Sequence, residues 1–227
     1  MSKKYEFTGE TRELGGVTLH RIRALRSIPE RGVEAGDLGG WLERESNLSH
    51  EGSCWVSENA WVCENAKVCG NAEVRGNAEV SGNAKVYGDA EVSGDAKVSG
   101  NAKVSGNAWV SGNAEVSGDT CVCGNAEVRG NAKVYGDALV HGDVWEVSPL
   151  VIHGSAHVLR VCSSTNIMVG CENRTADEWL RRFEAIGRAN GYTEGQIEEY
   201  GMFLRMAAEW QHNVFTVWPD GWKDETE

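Results

Sequence analysis

Between Cys54 and Val140 the apolar and polar positions follow a six-residue rule: small, variable, Val, variable, Gly, Asn or Asp. Valines stand at 56, 62, 68, 74, 80, 86, 92, 98, 104, 110, 116, 122, 128, 134 and 140 without one slip. Two residues before each valine sits a small residue: Cys54, an alanine from Ala60 to Ala114, then Thr120, Ala126, Ala132 and Ala138. In an extended strand side chains two apart face the same way, so the small residue and the valine point inward and the variable positions outward. The Gly-Asn/Asp pair then breaks the strand, because these residues tolerate positive φ. A strand of about four residues and a two-residue corner, taken three times, predicts a triangular coil of about 18 residues, with coils stacked about 4.8 Å apart. No coil buries its valines alone; each depends on its neighbours.

The pattern stops at both ends. Tyr5 to Leu25, with Leu14-Gly15-Gly16 as its turn, reads as a β-hairpin within an N-terminal cap over residues 1–53, where Trp41 is expected to shield the open edge of the first coil. Past Val140 the rhythm loosens. Glu146 falls where a valine is due, but Ile152 and Val158 return on the count with Ala156 in the small column, which predicts a distorted sixth coil and a solenoid over 54–160. Thr175-Ala176-Asp177-Glu178 is a capping box opening a helix with Trp179, Leu180, Phe183 and Ile186 on one face. Gly191 ends that helix, and Thr193 starts another carrying Ile197, Tyr200, Leu204, Ala207 and Trp210. A helical cap over 161–227, serving as a lid on the last coil, is the expected reading; a partner-binding helix pair is its alternative.

Gly-Asn-Ala-Glu-Val-Arg and its copies resemble the hexapeptide repeats of the left-handed β-helix superfamily. That resemblance implies an all-β solenoid, a left-handed parallel β-helix, despite the usual right-handed crossover preference. The N-terminal part is similar to hexapeptide-repeat proteins of the YdcK type from bacteria and prophages. A fold of this kind leaves function open.

Composition narrows the classes. The net charge is −12, and the helical end, 175–227, carries half of it. Non-specific nucleic-acid or membrane-surface binding needs basic patches, so neither is expected. There is no apolar run behind Lys3 and Lys4 to make a signal peptide, and none long enough to span a membrane. Seven cysteines follow the repeat and not a disulfide framework, which suits reduced thiols in a cytoplasm.

With 18 residues per coil, outward positions 18 apart stack on one wall. One wall carries Trp55, Glu73, Glu91, Trp109, Glu127 and Trp145, with Arg75 and Arg129 beside them. Tryptophan with arginine is the usual make-up of an interface hot spot, so Trp55, Arg75, Glu91, Trp109, Glu127, Arg129 and Trp145 are the candidate partner-binding residues. Packing against caps, a homotrimer seam and a foreign protein are all compatible with this wall; Trp109 lies farthest from both caps. A second wall carries Trp61, Glu79, Lys97, Glu115 and Lys133, and a third Lys67, Lys85, Lys103, Cys121, Leu139 and His157. On the third, Cys121, Cys123 and His141 are weak zinc candidates, without a fourth ligand, so no metal and no cofactor are expected. The lysine row reads as a solvated face.

Many hexapeptide-repeat proteins are acyltransferases, and by that resemblance a histidine general base near a subunit seam would be required. No loop interrupts Cys54 to Asp143, and His141, His153 and His157 have no recognisable nucleophile or carboxylate partner in the sequence. The expected function is therefore a non-catalytic binding or scaffold surface, with an anti-CRISPR-like inhibitor of a bacterial defence complex suggested by the prophage resemblance. An acyltransferase and a structural polymer like the bactofilins are the alternatives, and capped ends argue against the polymer.

Overall fold

A computed structural model describes residues 3–217. Its centre is a parallel β-solenoid in which the repeat closes three walls. Strands at 55–56, 73–74, 91–92, 109–110 and 127–128 form one sheet. The strands that begin at Trp61 and at Lys67 found the other two, and each rung pairs in register with the rung 18 residues on, as Glu91 does with Trp109. All fifteen valines and all fifteen small residues are buried, none more than 3% exposed. Ladder bonds such as Trp109 N–H to the Ala126 carbonyl at 2.8 Å join successive coils.

The corners are stitched as well. Asn65 donates its side-chain amide to Asn83 at 3.1 Å, Asn83 to Asn101 at 3.0 Å, and Asn101 to Asp119 at 2.7 Å. Asn59 to Asn77 to Asp95 repeats the arrangement. A carboxylate accepts but cannot donate, so each aspartate ends its run. This separates the Asn and Asp that the six-residue rule treats alike.

The N-terminal segment joins the solenoid directly. Strands β1 (Tyr5–Leu14) and β2 (Val17–Ala24) form an antiparallel hairpin, and β3 (Leu38–Leu42) pairs antiparallel with β2 and parallel with the Trp61–Val62 rung. Trp41 pairs with Trp61 and Leu42 with Val62, 20 positions on and not 18, so Leu42 takes the inner column. Trp41 covers the open edge of the first coil through its backbone, its N–H donating to the Ala60 carbonyl at 2.9 Å, but its ring lies on the outer side, under the guanidinium groups of Arg12 and Arg21 at 4.4 and 5.1 Å, and does not cover the column of valines. Tyr5, Ile22, Leu42, Leu48 and Trp55, all at most 1% exposed, close that end instead.

Of the distorted sixth coil only the first rung, Val144–Trp145, forms. Val128 pairs with Trp145, 17 positions on, because the corner after Gly142 is one residue short. Trp145 therefore enters the valine column, fully buried, and Val144 turns outward. Pro149, which has no N–H for a ladder, follows shortly after. The chain from there makes a four-stranded antiparallel sheet of Val151–His153, Val158–Val161, Asn166–Val169 and Glu172–Thr175, so Ile152 and Val158 meet the six-residue count without occupying a coil. Helices α1 (Ala176–Ala189) and α2 (Glu194–His212) pack on this sheet, each with its threonine capping box formed. Leu180, expected on the buried face of α1, is 38% exposed. A helical turn at Asn213–Val217 sets Phe215 edge-on against Trp145 at 5.0 Å. Residues 218–227 of the expected helical cap lie outside the described residues.

Candidate interaction face

Of the tryptophans placed on one wall by the repeat, only Trp109 is exposed there. Trp55 is covered by the N-terminal cap, with the Tyr5 ring edge-on at 6.4 Å, and Trp145 faces inward because of the short corner. Neither ring is accessible to a partner on this wall. Their role is to close the two ends of the column of valines, where a bulky ring substitutes for the missing neighbouring coil.

Trp109 is 39% exposed, and its indole N–H donates to Ser93 Oγ at 2.9 Å, which fixes the ring against the wall. Glu91 and Glu127 pair with it in register on either side. Arg75 bonds through Nε to Glu91 at 2.9 Å and lies 3.9 Å from Glu73. Arg129 bonds to Glu146 at 2.7 Å and to Glu127 at 3.3 Å. The charges on this wall are thus paired within the chain while both guanidinium groups stay about half accessible. Half-exposed pairs of this kind contribute little to stability, on the order of 0–1 kcal/mol each. Their effect is to hold the flanking side chains in place around an exposed indole. Val144, turned out by the short corner, adds a second exposed apolar group to the same sheet.

The third wall stacks Lys67, Lys85 and Lys103 in register. Cys121 follows Lys103, and Cys123 pairs with His141. Cys121 and Cys123 lie on one strand and titrate together: interaction with the Cys123 thiol, with the Lys103 ammonium on the rung below, lowers the Cys121 thiol to about 7, against the opposing effect of burial. The same interaction, with burial, raises Cys123. His141 does not complete a ligand set: its Nε2 lies 2.9 Å from where a Cβ on Gly124 would stand, over the corner backbone. Among the described residues no three His, Cys, Asp or Glu side chains converge on a common point.

Sequence reasoning missed Lys4. Its ammonium is wholly buried in the N-terminal cap, donating to the Cys54 carbonyl at 2.7 Å and the Glu51 carbonyl at 3.4 Å. Burial lowers its pKa, partly opposed by Cys54. Nothing in the pattern around Lys3 and Lys4 distinguishes the buried lysine from the exposed one. Among the described residues no helix is long and apolar enough to cross a membrane.

A stack of near-identical coils, with a continuous hydrogen-bonded wall and a single fixed aromatic group exposed on it, defines a parallel β-solenoid. Residues 46–162, a little over half of the chain, match the bactofilin family, described as polymer-forming cytoskeletal. The chain belongs to the bactofilin family. A comparison with curated proteins finds no match.

Proposed function

We propose that this protein is a non-catalytic structural element of a cytoplasm that assembles with copies of itself. The observation that carries the reading is the bactofilin match across the whole solenoid, a family whose description is polymer formation. The route of assembly follows from the ends. Tyr5, Leu42 and Trp55 cover the first coil, while Trp145, Phe215 and the antiparallel sheet cover the last. Coil-on-coil stacking between copies is therefore obstructed within the described residues, and the reading assigns contact to the wall around Trp109 and Val144, both exposed on one sheet. A hot spot of this type needs an aromatic anchor with neighbouring groups already in place, and the paired Arg75 and Arg129 supply them.

The alternative occupant of the wall, a component of a bacterial defence complex, rests on the net charge of −12 and on Trp109 alone. Acyl transfer is the weaker reading: His157 shares a pocket with Cys171 and Glu172, but no side-chain hydrogen bond joins the imidazole to either among the described residues. Light scattering over a concentration series, with electron microscopy of the same samples, tests self-assembly on the full chain. The expected result is multimers for the wild type and a shift to monomer for Trp109→Glu. A wild type that stays monomeric at every concentration sinks the reading.

A further inference from the structure

The C-terminal module forms a partly open cavity of about 120 Å³ between the antiparallel sheet and the helical hairpin. Trp179, Phe183, Ile186, Tyr192, Tyr200 and Leu204 line it, and His157 stands with it on the sheet side. For scale, an engineered apolar cavity of about 150 Å³ in another protein admits benzene. The space therefore suits one six-membered ring and little more.

Its walls are aromatic and its polar groups are few. Most of those are already engaged: the Trp179 indole N–H donates to the Ile167 carbonyl at 2.7 Å, and the Tyr200 hydroxyl donates to the His157 carbonyl at 2.7 Å. Glu172 is paired with Arg174 at 2.7 Å, so no free charge is aimed inward from it. The groups left over stand toward its solvent-accessible mouth. One is the exposed Cys171 thiol; the others are the half-buried Tyr192 hydroxyl and the exposed His157 imidazole, whose rings are 5.9 Å apart and which have no protein hydrogen-bond partner among the described residues. Burial also raises the Tyr192 phenol, keeping it a neutral donor.

The helix crossing beside the cavity is itself unusual. Gly187 sits inside α1, where glycine costs roughly 1 kcal/mol relative to alanine. A Cβ there would come within 3.0 Å of Ile197 Cγ1 and 3.7 Å of Tyr192 Cβ. The glycine lets α1 and α2 approach closely while leaving the space open beside them.

We infer that this cavity binds a small neutral aromatic molecule carrying one hydroxyl, its ring among Trp179, Phe183 and Tyr200 and its hydroxyl between Tyr192 and His157. The site belongs almost wholly to residues beyond the bactofilin match and does not depend on self-assembly. Phenol is the probe and toluene its control, titrated into the full chain by calorimetry and followed by amide chemical shifts. Saturable phenol binding, tighter than toluene, is expected. Tyr192→Phe should weaken phenol five- to tenfold and leave toluene unchanged, because only the hydroxyl contact is lost. Ile186→Phe, which fills the space, should abolish both; if that variant does not fold, Tyr192→Phe alone decides. Absence of saturable binding to the wild type, or a Tyr192→Phe variant that binds phenol as the wild type does, overturns the proposal.

Discussion

Gly118 and Gly136 occupy the same corner in successive coils, each before an aspartate, and differ in what lies above them. Both have positive φ, 79° and 70°. A Cβ on Gly118 would meet the Gly136 carbonyl oxygen at 2.7 Å and its nitrogen at 2.8 Å, whereas a Cβ on Gly136 meets nothing within 4 Å. Replacing either with alanine incurs the left-handed backbone cost of about 1–2 kcal/mol. Only Gly118→Ala adds the overlap. The atoms it strikes are backbone fixed by ladder bonds such as Asp119 N–H to the Gly136 carbonyl at 2.8 Å, so they cannot swing aside as a side chain would. Forced packing of that sort costs about 1–3 kcal/mol. Gly118→Ala should therefore lose about 2–5 kcal/mol and Gly136→Ala about 1–2. Urea unfolding followed by far-ultraviolet circular dichroism measures both, with the slopes compared to check that the same unit unfolds. The first coil shows how such a corner relaxes: Glu58 and Glu64 hold φ of 58° and 55°, and the Glu64 carboxylate accepts from Gly82 N–H at 2.6 Å. Alanine has no carboxylate to do this. Equal losses in the two variants would refute the stacking argument and leave only the backbone term.

Three further outcomes follow from the buried polar groups. Thr120 replaces alanine in the inner column, and its hydroxyl is buried without a partner among the described residues; Thr120→Val should raise stability by about 1–2 kcal/mol in the same urea assay, and a loss would show that the hydroxyl is satisfied. Lys4 has a folded-state pKa below its unfolded 10.5, so the folded chain releases its proton first and stability gains as pH rises from the folded value toward 10.5. The stability difference between wild type and Lys4→Met should accordingly be flat at neutral pH and grow in favour of wild type on the alkaline side; a difference that shrinks there contradicts the assignment. Cys121, at about 7, should be alkylated by iodoacetamide with a half-maximal rate near neutrality, while buried Cys63 and Cys162, raised by burial to about 12 and about 11, resist. Cys123→Ala should move the Cys121 profile to higher pH, and an unchanged profile would remove the neighbouring thiol as its cause.

The sequence alone determined the parallel solenoid, its 18-residue coil and the identity of the inner columns. It could do so because the code is local: each small–Val pair and each Gly-Asn corner specifies its own strand and turn, and repetition supplies the neighbour that every coil needs. The same locality made Trp109 and the lysine row legible, since they lie in the middle of the stack. The tertiary structure decided the ends. Whether Trp55 faces solvent depends on a hairpin more than 30 residues before it, and whether Trp145 does depends on one residue missing from a corner, which exchanges the inward and outward places of Val144 and Trp145. Lys4, Leu42 and the cavity beside Gly187 likewise arise from contacts between segments distant in sequence, where no period exists to be read.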